Sequence, residues 1–316
     1  PSFIDYDNDG DLDLYIVNDY LQNEIGNVMW RNDGAGCGHW CWTDVSVEAG
    51  LAQIINGMGL DTADYDNDGD LDLYMTDMVY HMYLMTNHND GTFTDQSAYA
   101  GVEINKRPDN GVGWGAVFFD YDNDGWQDLY VAQTEYYQPF AELLDNFMEE
   151  RPNALFHNSQ DGTFADTSFI SGIKEPLGTL GIAYADYDRD GDLDLITGNW
   201  NAGYRLYQNV GHQGTDNGWI SIDLVGNDPI NKDAVGTRVY ITTDDGITQM
   251  QAVKIGSGLG GNSQPSLHFG LGTSSVTTIK IVWSNGVVCL GEGIISNQHI
   301  EIEYTPSSLC IVEEYK

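Results

Sequence analysis

The chain has few basic residues, few cysteines and no long apolar run. It contains 12 Lys and Arg residues against 49 Asp and Glu residues, which gives a formal net charge of −37. Nucleic acid and anionic membrane surfaces both require basic patches, so neither is an expected partner. No apolar run is long enough to span a bilayer. A multivalent cation is the counter-charge that this composition favours.

The chain is nevertheless not a disordered acidic tail. Hydrophobic residues make up 41% of the sequence and aromatic residues 12%. A chain of 316 residues with this composition can bury a large core in one to three domains.

Four cysteines are present, two in one loop and two near the C-terminus. Zinc prefers a tighter Cys-x-x-Cys pair with further ligands nearby, so it is the least favoured interpretation. An even number suits two local disulfides, Cys37–Cys41 and Cys289–Cys310, in an oxidising compartment. Free thiols are the alternative.

A nine-residue acidic loop occurs four times. It reads DYDNDGDLD at 5–13 and 64–72, DYDNDGWQD at 120–128 and DYDRDGDLD at 186–194. The loop starts are 59, 56 and 66 residues apart. A recurring spacing of this size is typical of a repeat architecture.

Aspartates at alternate positions of a tight loop can direct several oxygens at one centre. Calcium takes about six to eight oxygen ligands at about 2.3–2.6 Å and tolerates irregular geometry, whereas magnesium demands a near-ideal octahedron. Glycine at position 6 permits the sharp turn. Position 7 accepts Trp126, so we expect this position to contribute its backbone carbonyl. The sequence therefore predicts about four Ca²⁺ ions, one per loop. The predicted metal-site residues are Asp5, Asp7, Asp9, Asp11, Asp13, Asp64, Asp66, Asp68, Asp70, Asp72, Asp120, Asp122, Asp124, Trp126, Asp128, Asp186, Asp188, Asp190, Asp192 and Asp194.

Two other readings of the loop are weaker. An EF-hand needs a bidentate Glu at position 12, where this chain has Ile16, Met75, Val131 and Thr197. The segments after the loops alternate and are rich in β-branched and aromatic residues, which predicts strands and not helices. A solvated acidic turn would not require four copies with glycine at the same place.

Each loop belongs to a longer unit of short predicted strands. YLMTNHNDGTFTDQS (83–97) and LFHNSQDGTFADTS (155–168) place Asp-Gly between two strands, and VMWRNDGAGCGHWCWTDVS (28–46) is the same hairpin with a longer tip. A Gly-rich apolar strand precedes the second, third and fourth loops. Four-stranded units at this spacing predict an all-β fold of propeller blades. An insert at 139–152 predicts a short helix whose apolar stripe packs on the propeller through Phe140, Leu143, Leu144 and Phe147.

The repeats resemble FG-GAP or VCBS repeats over about residues 1–209, because the DxDxDGxxD loops match that family's cation loops. The resemblance implies calcium-bearing blades like those of integrin α-subunits, in a secreted or cell-surface protein. From Gly218, the segments GWISIDLVGNDPINKDAVGTRVYI, LHFGLG and IKIVWSNGV are similar to the ASPIC/UnbV domain, a small all-β module. We therefore predict a repeat region at 1–212 and an ASPIC/UnbV-like domain with a C-terminal strand at 213–316.

No catalytic motif stands out. GSGLGG at 256–261 fits a dinucleotide-binding pattern, but the sequence that follows it does not predict the required helix. We expect no enzymatic activity and predict an extracellular structural or adhesion protein. The alternative is a secreted carbohydrate-binding or carbohydrate-active protein that uses the aromatic segments TEYYQP (134–139) and GNWNAGY (198–204).

The ends of the repeat region predict association with other chains. Only Pro1 to Ile4 precede the first loop, and the fourth unit lacks a counterpart of TFTDQS, so the first and last blades are expected to be incomplete. Open sheet edges invite another chain. We predict head-to-tail self-association into polymers, with SSLCIVEEYK (307–316) as a donated strand. The alternative is that upstream blades close the ring. Glycans or other extracellular proteins are further expected partners.

Overall fold

The computed structural model describes residues 1–19, 26–78, 81–104, 111–135, 153–173, 177–200, 202–211, 217–254, 259–291, 293–306 and 311–314. These residues form an all-β protein of six sheets with one short helix, which confirms the predicted fold class. The helix predicted within 139–152 lies outside the described residues. In the described part of the chain, no helix has the length and hydrophobicity that crossing a bilayer requires.

Four antiparallel sheets follow one another along the chain, and we call them blades 1 to 4. Blade 1 contains β1 (Ser2–Ile4), β2 (Asp13–Ile16), β3 (Val28–Ala35) and β4 (Trp40–Asp44). Blade 2 contains β5 (Gly57–Ala63), β6 (Asp72–Asp77), β7 (Tyr83–Asn87) and β8 (Phe93–Asp95), and α1 (Ser97–Ala100) follows it. Blade 3 contains β9 (Gly111–Phe119), β10 (Asp128–Glu135), β11 (Ala154–Asn158) and β12 (Phe164–Asp166). Blade 4 contains β13 (Thr179–Ala185), β14 (Asp194–Asn199) and β15 (Gly203–Tyr207).

Each acidic loop joins the first and second strands of its blade, as the sequence predicts. Adjacent blades pack face to face through apolar side chains that alternate along the strands. One buried cluster joins blades 1 and 2, a second joins blades 2 and 3, and a third joins blades 3 and 4. Hydrogen bonds from Asn67 to the Gly125 carbonyl and from Asn123 to the Gly191 carbonyl place the second, third and fourth loops side by side.

The two end blades differ from each other. The prediction that blade 1 is incomplete is wrong, because β1 pairs with β2 from Ser2 opposite Tyr15 to Ile4 opposite Asp13. Three residues suffice for this strand, since each has a partner and Ile4 is buried in the core. Blade 4 has three strands in the described part of the chain, and β15 lies at its edge.

The C-terminal domain consists of two four-stranded sheets around one core. The first sheet contains β19 (Leu267–Gly272), β16 (Gly218–Val225), β22 (Gln298–Glu303) and β23 (Ile311–Glu314), in that order. The second contains β18 (Thr248–Ala252), β17 (Arg238–Thr243), β20 (Val276–Val282) and β21 (Val288–Gly291). The core includes Trp283 and Phe269, both almost fully buried.

The chain termini and cysteines bear on the assembly predicted from the sequence. The C-terminal strand β23 pairs antiparallel with β22 of the same chain, so its donation to another chain would require this pair to open. Cys37 and Cys41 form the predicted disulfide. Cys289 is also disulfide-bonded, and its predicted partner Cys310 lies outside the described residues.

Candidate metal centre

The four loops share one backbone conformation. Position 6 is glycine in every copy, with φ between 91° and 98°, a region that other residues rarely adopt. Position 4 also has a left-handed conformation, which asparagine tolerates better than most residues. The φ values at position 4 are 60° for Asn8, 57° for Asn67, 58° for Asn123 and 62° for Arg189. The two turns fold the loop back on itself, so that alternate side chains point inward.

Hydrogen bonds from the loop's own amides hold the aspartates at positions 1 and 5. Asp120 accepts from the Gly125 amide at 2.8 Å and from the Asp124 amide at 3.1 Å. Asp124 in turn accepts from the Trp126 amide at 2.9 Å. The carboxylates are therefore fixed in place before any cation binds.

Position 9 has a structural role that the sequence did not predict. Asp128 accepts hydrogen bonds from the amides of Tyr121 at 3.1 Å and Asn158 at 2.8 Å. The same pair of bonds recurs in the other blades, from the loop and from the third strand, at Asp13, Asp72 and Asp194. A buried carboxylate at this position thus ties the loop to two strands, whether or not it also binds a cation.

Three carboxylates converge in each loop. In blades 1, 2 and 4, one oxygen from each of positions 1, 3 and 9 lies within 4.8 Å of the others. These groups are Asp5, Asp7 and Asp13; Asp64, Asp66 and Asp72; and Asp186, Asp188 and Asp194. In blade 3 the corresponding groups are Asp120, Asp122 and Asp124, and Asp122, Asp128 and His157.

The remaining predicted ligands do not join these groups within the described residues. They belong to positions 5 and 7 and are Asp9, Asp11, Asp68, Asp70, Trp126, Asp190 and Asp192. At position 5, Asp9 and Asp68 instead accept the amide of position 7, at 2.8 Å and 3.2 Å. The predicted carbonyl ligand at position 7 stays a prediction.

Two of the converging carboxylates are buried without a hydrogen-bond partner for each oxygen. Asp5 Oδ1 and Asp66 Oδ1 are buried and accept no hydrogen bond. Burial raises the pKa of Asp64 to about 8 and the pKa of Asp13 to about 7. Buried carboxylates that face one another require a compensating charge. An all-oxygen donor set of this kind fits Ca²⁺.

One residue in the third strand of blades 1 to 3, and directly after the third strand in blade 4, lies beside the loop, and its type differs from blade to blade. It is Arg31 in blade 1, Thr86 in blade 2, His157 in blade 3 and Gln208 in blade 4. His157 Nδ1 lies 3.2 Å from Asp128 Oδ1 and 3.5 Å from Asp122 Oδ2. The hydrogen bond to Asp128 raises the pKa of His157 to about 9. Without an alignment of the four hairpins, this position carries no signal in the sequence.

An asparagine near the end of the third strand connects neighbouring blades. Its side chain donates to the carbonyl of the tyrosine at position 2 of the preceding loop. The distances are 2.9 Å for Asn87 to Tyr6, 2.8 Å for Asn158 to Tyr65 and 2.6 Å for Asn209 to Tyr121. The sequence contains a signal for this residue, because an asparagine occurs at the equivalent position of all four units, in WRNDG, TNHNDG, HNSQDG and YQNVG.

The C-terminal domain contacts the loop end of the blades. Arg238 forms an ion pair with Asp5 at 3.2 Å in the first loop. His268 Nε2 lies 2.7 Å from Asn123 Oδ1 in the third loop. In the fourth loop, a Cβ added to Gly191 would lie 1.8 Å from the indole nitrogen of Trp219. The domain therefore contacts the first, third and fourth loops.

Comparisons with known proteins agree with this architecture. The FG-GAP-like repeat family matches residues 5–75, 76–131 and 144–197, and the ASPIC and UnbV family matches residues 227–309. Cartilage acidic protein 1 of Xenopus tropicalis is 25% identical over 302 residues, which cover 90% of this chain and 42% of that protein. Cartilage acidic protein 1 of Mus musculus is 45% identical over 67 residues, or 21% of this chain and 10% of that protein.

The chain thus spans less than half the length of these relatives. Among solved structures, the V. cholerae biofilm matrix protein Bap1 aligns with 99% of this chain and 60% of its own, at 10% identity and a TM-score of 0.30. A score this low supports no comparison of the two folds. The FG-GAP-like matches cover more than half of the chain, and the chain therefore belongs to the FG-GAP-like repeat family, with an ASPIC and UnbV domain after its repeats.

Proposed function

We propose that the protein is an extracellular structural protein whose four acidic loops bind Ca²⁺ and thereby stiffen the blades. The observation that supports this most directly is that Asp5 Oδ1 and Asp66 Oδ1, both on converging carboxylates, are buried without a hydrogen-bond donor. Positions 1, 3 and 9 would supply the converging carboxylates in blades 1, 2 and 4, with position 5 and the carbonyl of position 7 completing the shell. In blade 3, positions 1, 3 and 5 would supply them, again with the carbonyl of position 7. Four ions would offset eight of the formal negative charges, leaving most of the net charge of −37 in place.

An extracellular location is supported by two observations. The Cys37–Cys41 disulfide suits an oxidising compartment, and Cys289 is disulfide-bonded as well. The relatives are named for cartilage. We propose a secreted or cell-surface protein with a role in adhesion or assembly and no catalytic activity of its own.

Self-association through the end blades is part of the proposal. In blades 1 to 3, the tyrosine two residues after position 9 is buried against the next blade, at Tyr15, Tyr74 and Tyr130. Blade 4 has Ile196 at this position, and its side chain is 42% exposed. Opposite it on β15, Leu206 is 54% exposed. This face of blade 4 is therefore apolar, like the surfaces that pack between blades, but it is exposed.

Blade 1 exposes apolar residues on its opposite face. Phe3 is 47% exposed and Trp42 is 39% exposed, and neither points toward blade 2. Head-to-tail contact of blade 1 with blade 4 of a second copy would cover both faces. Upstream blades of a longer chain would do the same.

Sedimentation velocity over a range of concentrations tests whether two copies associate. Leu206→Asp should abolish association. Val47→Asp is the control, because Val47 is exposed at another site, and it should leave association unchanged. A monomer at all concentrations would contradict self-association.

Carbohydrate binding is the second candidate function. It is favoured by the exposed aromatic side chains of Trp200 and Tyr204, which lie within one of the two predicted aromatic segments. Aromatic faces stack on sugar rings. Glycan-array binding that is lost in Trp200→Ala would support this function, and an array without signal would remove it.

The calcium proposal is tested by thermal unfolding with saturating Ca²⁺ and with a chelator. Ligand binding to the folded state raises the midpoint, so the chelator should lower it by several degrees or more. Asp66→Asn should remove one bound ion and part of the shift. Asp90→Asn is the matched control, because Asp90 is an exposed hairpin residue outside the loops. Identical midpoints in both buffers would contradict the proposal.

A further inference from the structure

The four blades provide an internal comparison of the residue beside each loop. The second and third strands pair in the same register in every blade, with Leu14 opposite Trp30, Leu73 opposite Met85, Leu129 opposite Phe156 and Leu195 opposite Tyr207. The residue that follows this pair along the chain is therefore structurally equivalent in all four blades, although in blade 4 it lies just past the end of β15. These residues are Arg31, Thr86, His157 and Gln208.

Three of the four equivalent residues offer no nitrogen ligand to a metal ion. The Arg31 guanidinium stays charged and pairs with Asp33 at 2.8 Å. Thr86 shares a hydrogen bond with the Tyr65 hydroxyl at 2.9 Å. Gln208 donates its amide to Asp188 Oδ2 at 2.7 Å. Only the imidazole of His157 can offer a nitrogen lone pair, once a metal ion displaces to solvent the Nδ1 proton that it shares with Asp128.

Three side-chain atoms around His157 are arranged like the protein ligands of a metal ion. Its Nδ1 lies 3.2 Å from Asp128 Oδ1 and 3.5 Å from Asp122 Oδ2, and the three atoms lie within 4.8 Å of one another. Two ligands bound tetrahedrally to zinc at about 2.0–2.2 Å are about 3.3–3.6 Å apart. The Tyr121 ring meets the imidazole edge-on, with the ring centres 6.1 Å apart, and limits its rotation.

We propose that the third loop is a mixed nitrogen and oxygen site that prefers a divalent transition metal such as Zn²⁺, held by His157, Asp122 and Asp128. Three protein ligands and one position open to water are a common zinc arrangement. An imidazole ligand favours zinc over calcium, which binds hard oxygen ligands. Asp122 also belongs to the all-carboxylate group of this loop, so the two metals compete here. In the fourth loop, His299 Nε2 lies 3.4 Å from Asp186 Oδ2 but joins none of the ligand groups of the described residues, so calcium is expected in the other three loops.

The inference rests on the proposed cation-binding role of the loops. Its test uses the whole chain of 316 residues. Protein saturated with Ca²⁺ is titrated with Zn²⁺ by calorimetry, and crystals are measured at the zinc absorption edge. One Zn²⁺ per chain is expected, with its anomalous peak beside His157 Nδ1. His157→Gln places the blade 4 residue in blade 3 and should weaken zinc binding at least tenfold. Gln208→His should add a second ion beside Asp188 and Asp194.

His81→Gln is the matched control, because His81 lies 3.1 Å from Asp95 and belongs to none of the metal-ligand groups found among the described residues. This variant should bind zinc as the unmodified chain does. Unchanged zinc affinity in His157→Gln, an anomalous peak elsewhere, or no gain in Gln208→His would each overturn the inference. Calcium in all four loops without zinc uptake would overturn it and leave the proposed function standing. Zinc at His157 with no calcium in any loop would support this inference and contradict the proposed calcium-binding function.

Discussion

Asn158 of blade 3 donates a hydrogen bond from its side-chain amide to the carbonyl of Tyr65 in blade 2, at 2.8 Å and across 93 residues of sequence. The same amide donates to the carbonyl of Gln127 at 3.1 Å within its own loop. Because the Asn158 backbone amide also donates to Asp128, one residue connects two loops and a strand. The two loops are therefore linked by a short chain of hydrogen bonds.

Replacing this asparagine should loosen the contact between blades. Asn158→Ala leaves the buried Tyr65 carbonyl without a donor, which should lower the free energy of unfolding by about 1–3 kcal/mol. Asn32→Ala is the control, since Asn32 donates to Leu12 within its own blade. Urea unfolding of both variants measures the difference. An equal loss in the two variants would show that the inter-blade bond contributes nothing.

The loops and strands could be predicted because their signals are local. Alternating aspartates, a glycine at position 6 and alternating apolar strands each occupy fewer than ten residues of sequence. The partners of Asn158 could not be predicted, because Tyr65 becomes its neighbour only when blades 2 and 3 pack together. The same holds for His157, whose equivalence to Gln208 depends on strand register. The three residues of β1 were too few to be predicted as a full strand, although pairing with β2 is enough to form it.

The docking of the C-terminal domain should be sensitive to a single methyl group at Gly191. A Cβ there would lie 1.8 Å from Trp219 Nε1, whereas a Cβ at Gly69 meets nothing within 4 Å. Both glycines have φ near 95°, so an alanine at either costs about 1–2 kcal/mol in backbone strain. Gly191→Ala should lose more stability than Gly69→Ala and should expose the domain interface. Limited proteolysis between the domains and urea unfolding measure both effects. Equal behaviour of the two variants would contradict the Trp219 contact.

Each interior blade face should depend on its buried tyrosine. Tyr74 is fully buried and its hydroxyl donates to the Val102 carbonyl at 3.1 Å, so Tyr74→Ala should cost about 3–5 kcal/mol. Ile196→Ala at the equivalent position of blade 4 should cost less than about 1 kcal/mol in a monomer. Urea unfolding of the two variants at low protein concentration measures the contrast. A large cost for Ile196→Ala would indicate that another blade covers this face.

Acid should destabilise the domain interface through His268. Burial lowers the pKa of His268 to about 3, while the unfolded chain takes up a proton near pH 6.5. Because the folded state does not take up this proton, stability falls as the pH drops below about 6.5, by up to about 1.4 kcal/mol per pH unit. His268→Gln lacks this component and should show a shallower decline between pH 6.5 and pH 5 in saturating Ca²⁺. Parallel declines in the two proteins would show that His268 is protonated in the folded state.

The most direct measurement of the central claim is a diffraction map of crystals grown with Ca²⁺, recorded where calcium scatters anomalously. Four peaks are predicted, one between the converging carboxylates of each loop, with oxygen ligands at about 2.3–2.6 Å. These carboxylates are at positions 1, 3 and 9 in blades 1, 2 and 4 and at positions 1, 3 and 5 in blade 3. The peak in the third loop should weaken when Zn²⁺ is added, and the other three should not. Ordered loops without anomalous density at any of the four positions would contradict the account.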